Sequence, residues 1–349
     1  MSLSVQRQVI LTMKVLVTGA GGFIGGYLLE KLLAAGHRVR GLALDEADAA
    51  RIRRAGEVDV AFGDITDIES LRAAALGADV VFHAAARVSD WGTWPQFKAV
   101  TVQGTHNMLQ AAADADVGRF LLFSSIAVYP RMARGEAPLN ETSPYSGRDN
   151  PWGFYGLAKV LAEAEALRYQ REGRLNVTII RPTSIYGPGD HTFIPRIIRH
   201  LRGPSATWVG SYDPFVPFLY VTDAAEGALI AGTNNKAIGQ IYILGPDREF
   251  HIREFIGAIC HELGIRPPQF SVPYAMAASL ANVLEGWARL IRSREPPALT
   301  RTSVFLMSQD QRFDVSKARR DLGWQSQVSM EEGVRLTAEW VRQEGLLKS

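Results

Sequence analysis

Residues 15–33, VLVTGAGGFIGGYLLEKLL, constrain the fold more than any other stretch of the chain. Val15, Leu16 and Val17 read as a buried strand, Gly19, Gly22 and Gly25 follow at three-residue spacing, and Phe23, Ile24, Leu28, Leu29, Leu32 and Leu33 recur with a helical period. Strand, glycine turn and helix in that order aim backbone N–H groups and the positive end of a helix dipole at an anion. The glycines let the backbone approach a pyrophosphate and let the helix pack on the strand. Glycine turns also arise for steric reasons alone, so the alternative to a dinucleotide site is a purely structural turn.

Downstream, apolar runs at 37–44, 58–62, 80–82, 120–123 and 177–180 alternate with helical patterns. Strands alternating with helices imply a parallel sheet, here an α/β fold of the doubly wound Rossmann type. Beyond Asp190 the alternation lapses into short helices with isolated strands at 218–221 and 241–244. The expected division is an extension at 1–12, a dinucleotide-binding Rossmann domain at 13–188, and a smaller, mostly helical substrate domain at 189–349. Parts of 215–248 are expected to return to the first domain. A length of 349 residues is enough for such a core.

Composition narrows the classes. A net charge of +2 with 21% charged residues offers no basic surplus for nucleic acid. The single cysteine, Cys260, rules out an intramolecular disulfide or a cysteine-rich metal site, and points to a reducing cytoplasm. On a helical pattern at 251–263 it reads as a small buried residue rather than a reactive thiol. No apolar run approaches the roughly 20 residues that span a bilayer. The first twelve residues carry no signal-peptide pattern, and Met13 would itself make a natural start.

Between the strands lie the residues that would meet a cofactor and a substrate. At the end of the second strand, an acidic residue would hold the ribose 2′-hydroxyl of NAD and an arginine the 2′-phosphate of NADP. Ala43 and Leu44 occupy those positions, and Asp45 follows; it either reaches the ribose, a slight lean towards NAD over NADP, or caps the next helix. Ala84, Ala85 and Ala86 leave room for a flat cofactor, and His83 before them reads as structural. The Pro-, Gly- and Asn-rich segment 130–152 should be a surface loop that is functional or mobile and falls just before Tyr155.

Ser125 ends one strand, while Tyr155 and Lys159 share a helix face at 154–170, all on the carboxyl side of the sheet. A tyrosine of ordinary pKa about 10 is a poor base at neutral pH. A lysine one turn away and an oxidised nicotinamide would stabilise its phenolate. Tyr155 would then exchange a proton with a substrate hydroxyl, Ser125 would hydrogen-bond the same oxygen, and Lys159 would tune Tyr155 and hold the nicotinamide ribose. Tyr and Lys four apart occur often by chance; their order after a glycine turn and a Ser-Ser strand end, and before Arg-Pro, is what singles them out.

The motifs TGAGGFIG from Thr18, GDITD, HAAA, SSIAVY, YGLAK, RPTSIYGPGD and DLGW at 321–324 resemble those of an extended short-chain dehydrogenase/reductase of the NAD-dependent epimerase/dehydratase superfamily, over roughly residues 13–342. The resemblance implies the catalytic set Ser125, Tyr155 and Lys159, Asp64 and Ile65 beside the adenine, and a homodimer through helices near 95–115 and 154–171. Apolar faces on those helices could equally be core. The cofactor-binding set so expected is Gly19, Gly22, Phe23, Ile24, Gly25, Asp45, Asp64, Ile65, Ala84, Ala85, Ala86, Lys159, Pro182, Thr183 and Ile185, with no metal. One departure stands out: the family's usual Asn is Thr101 here, which is therefore left out of the catalytic set.

For the substrate, Arg181-Pro182-Thr183-Ser184 and the run DPFVPFLY at 213–220 lack the polar residues that hold a nucleotide sugar, and an aromatic, proline-rich wall would suit an apolar ligand. The same Phe and Pro residues could be ordinary core. At 273–294, Met276, Leu280, Val283, Leu284, Trp287, Leu290 and Ile291 form one apolar helical stripe. Such a stripe usually means a buried helix; with arginines at 289, 292 and 294 it could instead lie on a membrane surface or roof an apolar pocket. This insert resembles the 3β-hydroxysteroid dehydrogenase branch, which includes bacterial reductases of 2-alkyl-3-oxoalkanoates. The expected function is NAD(P)-dependent oxidation of a secondary alcohol, or reduction of the ketone, on a steroid-like or 3-hydroxy/3-oxo substrate. The rivals are a nucleotide-sugar epimerase or dehydratase, a dihydroflavonol-reductase-like NADPH ketone reductase, and a dinucleotide-sensing regulator without catalysis.

Overall fold

A computed structural model describes residues 12–347 apart from 148, 204 and 205, so the expected N-terminal extension lies almost wholly outside the described residues. In chain order the elements are β1 (Lys14–Thr18), α1 (Phe23–Ala34), β2 (Arg38–Ala43), α2 (Glu46–Arg53), β3 (Asp59–Phe62), α3 (Ile68–Ala75), β4 (Val80–His83), α4 (Trp94–Phe97), α5 (Gly104–Asp114), β5 (Arg119–Phe123), α6 (Gly153–Arg171) and β6 (Val177–Pro182). There follow β7 (Ser184–Tyr186), α7 (Phe193–Arg202), β8 (Thr207–Val209), β9 (Phe215–Val216), β10 (Phe218–Tyr220), α8 (Val221–Thr233), β11 (Ile241–Leu244), β12 (Phe250–His251), α9 (Ile252–Leu263), β13 (Phe270–Val272), α10 (Tyr274–Leu290), α11 (Arg301–Ser308), α12 (Ser316–Leu322) and α13 (Met330–Gln343).

Seven strands form one parallel sheet in the order β11-β6-β5-β4-β1-β2-β3. The strand order reverses between β1 and β4, which run parallel, and this switch point opens the crevice where open α/β sheets bind dinucleotides. One face of the sheet packs on α1 and α8 through Val15, Val17, Leu28, Leu29 and Leu32; the other packs on α3, α5 and α6 through Leu16, Leu71, Met108, Leu109 and Tyr169. A third core gathers Phe218, Phe250, Phe255 and Tyr186 with α7, α9 and α13. Phe218 and Tyr220, expected as part of an apolar pocket wall, belong to this core at 5% exposure each: the Tyr220 ring meets Tyr186 edge-on and the Phe218 ring packs tilted on Phe255. Cys260 is buried in the same core.

One further expectation is corrected, and one set of alternatives is narrowed. The long helical pattern at 95–115 is broken: a π-helical segment, Lys98–Gln103, separates α4 from α5. Such extra-residue turns often mark functional sites, and this one carries Thr101. The apolar stripe of α10 is not buried. The helix sets Ala277, Ala281, Glu285 and Ala288 inward and leaves its large apolar residues outside. Among the described residues no helix is long and apolar enough to cross a membrane.

Candidate active site

The glycine turn leads from β1 into α1. Gly19 has φ +68°, a left-handed conformation in which a side chain is strained, and a methyl group there would also lie 2.8 Å from the Ala85 nitrogen. A methyl group on Gly25 would lie 2.0 Å from the Gly19 carbonyl oxygen, so only glycine lets α1 pack this closely. Gly22 caps α1 with no side-chain hydrogen bond, and the first turn holds no acidic residue. The leading N–H groups therefore face the crevice without an internal anion, the arrangement that receives a phosphate. The side chains of Phe23 and Ile24 pack on the third core; what they offer a ligand is backbone.

Around the turn, Ala84 donates its N–H to the Thr18 carbonyl at 3.2 Å, and Ala84, Ala85 and Ala86 stay half-buried as a small-residue floor. His83 is a structural residue: its Nδ1 lies 2.8 Å from the Thr18 hydroxyl and its Nε2 3.2 Å from that of Thr105. Burial, with the Lys159 charge adding, lowers its pKa to about 3. Asp64 accepts from the Thr66 N–H and hydroxyl within its own turn. Ile65 packs against Gly104, where a methyl group would come within 2.7 Å of it.

Of the two roles open to Asp45, the structure shows the helix cap. Its carboxylate accepts the Asp48 N–H at 2.8 Å and caps α2, the stronger local demand because the first N–H groups of a helix lack partners. Sequence reasoning missed the pair beside it. Asp48 accepts the Leu44 N–H at 3.1 Å, and Arg51 donates to Asp48 at 2.9 Å and to the Gly21 carbonyl at 3.1 Å. Gly21 leaves room for them: a methyl group there would meet the Asp48 carboxylate at 1.9 Å.

Ser125, Tyr155 and Lys159 come together at the carboxyl ends of β5 and β6. Ser125 caps the short 3-10 turn Ile126–Val128, accepting from the Ala127 N–H, and its side chain acts on the Tyr155 phenol. Gly156 permits this approach, since a methyl group there would lie 2.2 Å from Asn150 and 2.5 Å from the Ala127 carbonyl. Lys159 is buried, with Nζ donating to the Phe123 carbonyl at 2.6 Å and standing 6.0 Å from the centre of the Tyr155 ring. Burial lowers the Lys159 pKa to about 8, while Glu163 one turn on opposes the shift.

The expected lowering of the Tyr155 pKa is not found in the protein alone. Burial raises it, and the Ser125 hydrogen bond only opposes that rise. The physical reason is the direction of Lys159, whose ammonium is turned to a backbone carbonyl rather than to the phenol.

The segment 130–152, expected to be mobile or a cover, is tied down by a buried network that sequence reasoning missed. Arg181, on β6, donates to Glu163 at 2.9 and 2.7 Å, to the Tyr129 hydroxyl at 2.6 Å and to the Tyr145 hydroxyl at 2.9 Å; Tyr145 in turn donates to Glu163. Arg181 and Glu163 are 1% and 0% exposed. Burial works against the Arg181 charge, but the Glu163 hydrogen bonds and charge outweigh it and raise the guanidinium pKa. Thr101, in place of asparagine, accepts the Arg87 N–H at 3.0 Å.

A dinucleotide fits these residues. Besides the glycine cradle, the hydroxyls of Ser124 and Thr183, at the carboxyl ends of β5 and β6, are buried without a hydrogen-bond partner. Pro182 and Ile185 flank Thr183 on β6 and β7. A separate cavity of about 550 Å³ opens between Arg134, Tyr212 and Tyr274 at the start of α10.

The model of the NAD dependent epimerase/dehydratase family matches residues 15–245, more than half of the chain, and the protein belongs to that family. A 2-alkyl-3-oxoalkanoate reductase of Shewanella oneidensis is 29% identical over 330 residues, covering 91% of this chain and 84% of its own. A 3 beta-hydroxysteroid dehydrogenase/Delta 5→4-isomerase of Mycobacterium tuberculosis is 32% identical, covering 89% and 86%. Among solved structures, the dTDP-glucose 4,6-dehydratase DesIV of Streptomyces venezuelae, with NAD and TYD bound, superposes with a TM-score of 0.76 at 25% identity, covering 95% of this chain and 97% of that one. The chain is accordingly an NAD(P)-dependent oxidoreductase.

Proposed function

We propose that the protein interconverts a secondary alcohol and a ketone on an apolar substrate, either a 3-hydroxy/3-oxo acid with a long chain or a 3β-hydroxysteroid, with Ser125, Tyr155 and Lys159 as its catalytic residues. The observation that carries this is the convergence of Ser125, at the end of β5, with Tyr155 and with the Lys159 ammonium 6.0 Å from the Tyr155 ring. Bound in the crevice, the dinucleotide supplies or takes the hydride. Tyr155 gives its proton to the carbonyl oxygen in reduction and takes it back in oxidation. Ser125 hydrogen-bonds the same oxygen, which raises the acceptor character of the carbonyl carbon. Lys159, with a pKa of about 8, is mainly charged at neutral pH and stabilises the phenolate when Tyr155 loses its proton. The apolar-substrate reading is supported by reductase and dehydrogenase relatives that match nearly the whole chain.

Gly19, Gly22, Gly25, the backbone of Phe23 and Ile24, Ala84, Ala85, Ala86, Thr183 and Ser124 would line the cofactor, with Asp64 and Ile65 at the adenine. The 2′ position is governed by Asp48 and Arg51 rather than Asp45. Arg51, held beside the glycine turn by Asp48 and the Gly21 carbonyl, supplies a cation for the 2′-phosphate of NADP(H), whereas the sequence leaned slightly to NAD through Asp45. The two-domain division at 188/189 and a homodimer through the helices near 95–115 and 154–171, the second of which exposes Leu161 and Phe154 at 39% and 40%, belong to the same proposal. So does the reducing compartment suggested by one buried cysteine.

A substrate panel tests the reading: 2-alkyl-3-oxo acids, 3β-hydroxysteroids, dihydroflavonols and UDP- or dTDP-sugars, each with wild type and Tyr155→Phe. Turnover of the acids or steroids, reduced about 10²- to 10⁴-fold in Tyr155→Phe, is expected. Turnover of sugars alone would establish the epimerase or dehydratase rival, which the fold neighbours also fit.

A further inference from the structure

We propose that α10 docks on a lipid surface bearing anionic headgroups, and that this brings the active site to the membrane where an apolar substrate resides. The proposal adds a partner to the function above and uses its apolar substrate only for purpose, not for the binding itself.

The helix is amphipathic in an inverted sense. Its inward face is small, with Ala281 at 0%, Ala277 at 4% and Ala288 at 6% exposure, and these alanines let it lie close against α11 and β8. Its outward face carries Met276, Leu280, Val283, Trp287, Leu290 and Ile291 at 52–74% exposure, along more than four helical turns. Phe270 on the adjoining β13 extends the patch at 75%. A soluble monomer rarely leaves a contiguous apolar surface of this extent facing water.

Charge selects lipid as the occupant. Between residues 266 and 294 the only acidic residue is Glu285, and it is turned inward, bonded to the Arg301 N–H at 2.7 Å and to the Arg301 guanidinium at 2.9 Å. The outward face therefore holds no carboxylate. At its carboxyl end stand Arg289, which at 3.4 Å shares Glu285 with Arg301, and the exposed Arg292 and Arg294, against the single following Glu295. An apolar stripe with a cationic rim, a tryptophan at its margin and no acid matches an anionic bilayer interface. A second copy of the same face would bring these arginines into mutual repulsion across a two-fold axis whenever the helices pack parallel.

Position links the face to the site. The Trp91 indole donates to the Ser293 carbonyl at 3.1 Å, and the Arg289 guanidinium lies 5.8 Å above the Trp91 ring. Trp91 belongs to the segment that leaves the Ala84–Ala85–Ala86 floor, and its neighbour Asp90 accepts from Thr300 beyond α10. A docked α10 thus ends at the rim of the crevice.

Flotation of the full-length protein with vesicles tests this, without substrate or cofactor, so its outcome is independent of the substrate assignment. Vesicles of phosphatidylcholine with phosphatidylglycerol should carry the protein, vesicles of phosphatidylcholine alone much less, and added salt should weaken the binding. Replacing Leu280, Trp287 and Leu290 together by serine should lower vesicle binding by about tenfold or more while leaving the melting temperature and turnover of a short water-soluble ketone unchanged. Arg292→Gln with Arg294→Gln should remove the headgroup preference. Wild-type protein that stays in the buffer layer with anionic vesicles would overturn the proposal. So would a stable dimer, seen by sedimentation, that the triple variant turns to monomer and that binds no vesicles, because a second copy would then cover the face.

Discussion

Helices α1 and α10 carry similar sequence patterns and opposite environments. In α1, Leu28, Leu29 and Leu32 are fully buried against the sheet. In α10 the large residues face water and the alanines face the protein. What differs is where the small residues lie. Gly25 sits on the face of α1 that meets the glycine turn, so the helix can approach the strand while its leucines fill the space beside it. In α10 the smallest side chains form a stripe of their own, and that stripe is the one that fits the scaffold. Periodicity reports that a helix has an apolar face; close packing decides which face turns inward.

The sharpest break between the two regions should come from paired truncations. Leu29→Ala opens a cavity in the core under the cofactor and should cost about 2–5 kcal/mol of unfolding free energy. A denaturant titration would check it. Next, the cofactor half should weaken in acid in a way that α10, which holds no histidine, cannot. The folded pKa of His83 is lowered to about 3 against an ordinary 6.5, so the unfolded chain binds the extra proton between those values. Stability should fall as pH drops through that window, by up to about 1.4 kcal/mol per unit, and His83→Asn should flatten the slope of melting temperature against pH.

A smaller effect is expected at the ribose. Arg51→Ala should weaken NADPH binding by about tenfold, or about 1.4 kcal/mol, and leave NADH binding unchanged in a fluorescence titration. Equal weakening of both would move the 2′ selection elsewhere. The smallest effect belongs to α10: Leu280→Ala, the partner of the Leu29 truncation, should change stability in water by no more than about 0.5 kcal/mol. A loss as large as that at Leu29 would mean the stripe is covered in solution.

Much of the fold was legible because its signals are local. The glycine turn, the strand–helix alternation and the Tyr155/Lys159 spacing are each read from neighbouring residues, and a parallel sheet of the Rossmann type follows from the alternation. Asp45 was ambiguous because an aspartate suits a ribose hydroxyl and a helix cap equally, and only the backbone geometry of α2 selects the cap. The Arg181–Glu163–Tyr145 network joins residues 18 and 36 positions apart across β6 and α6, a separation with no period to reveal it. Its consequence was missed with it: a Pro- and Gly-rich segment read as functional or mobile is anchored by a buried ion pair whose disruption should be strongly destabilising. The π-helical segment around Thr101 inserts a residue into an otherwise continuous helical pattern, and the pattern alone does not register it.

The crevice between the glycine turn and Tyr155 is proposed to carry hydride transfer to the carbonyl carbon of an apolar ketone. The most direct measurement supplies the enzyme with reduced dinucleotide carrying deuterium at the transferable nicotinamide position and a 2-alkyl-3-oxo acid, and reads the product by mass spectrometry. One deuterium on carbon 3 of the resulting alcohol, and none formed by Tyr155→Phe, is the expected result. An unlabelled alcohol, or the same yield of labelled product from Tyr155→Phe, would contradict it.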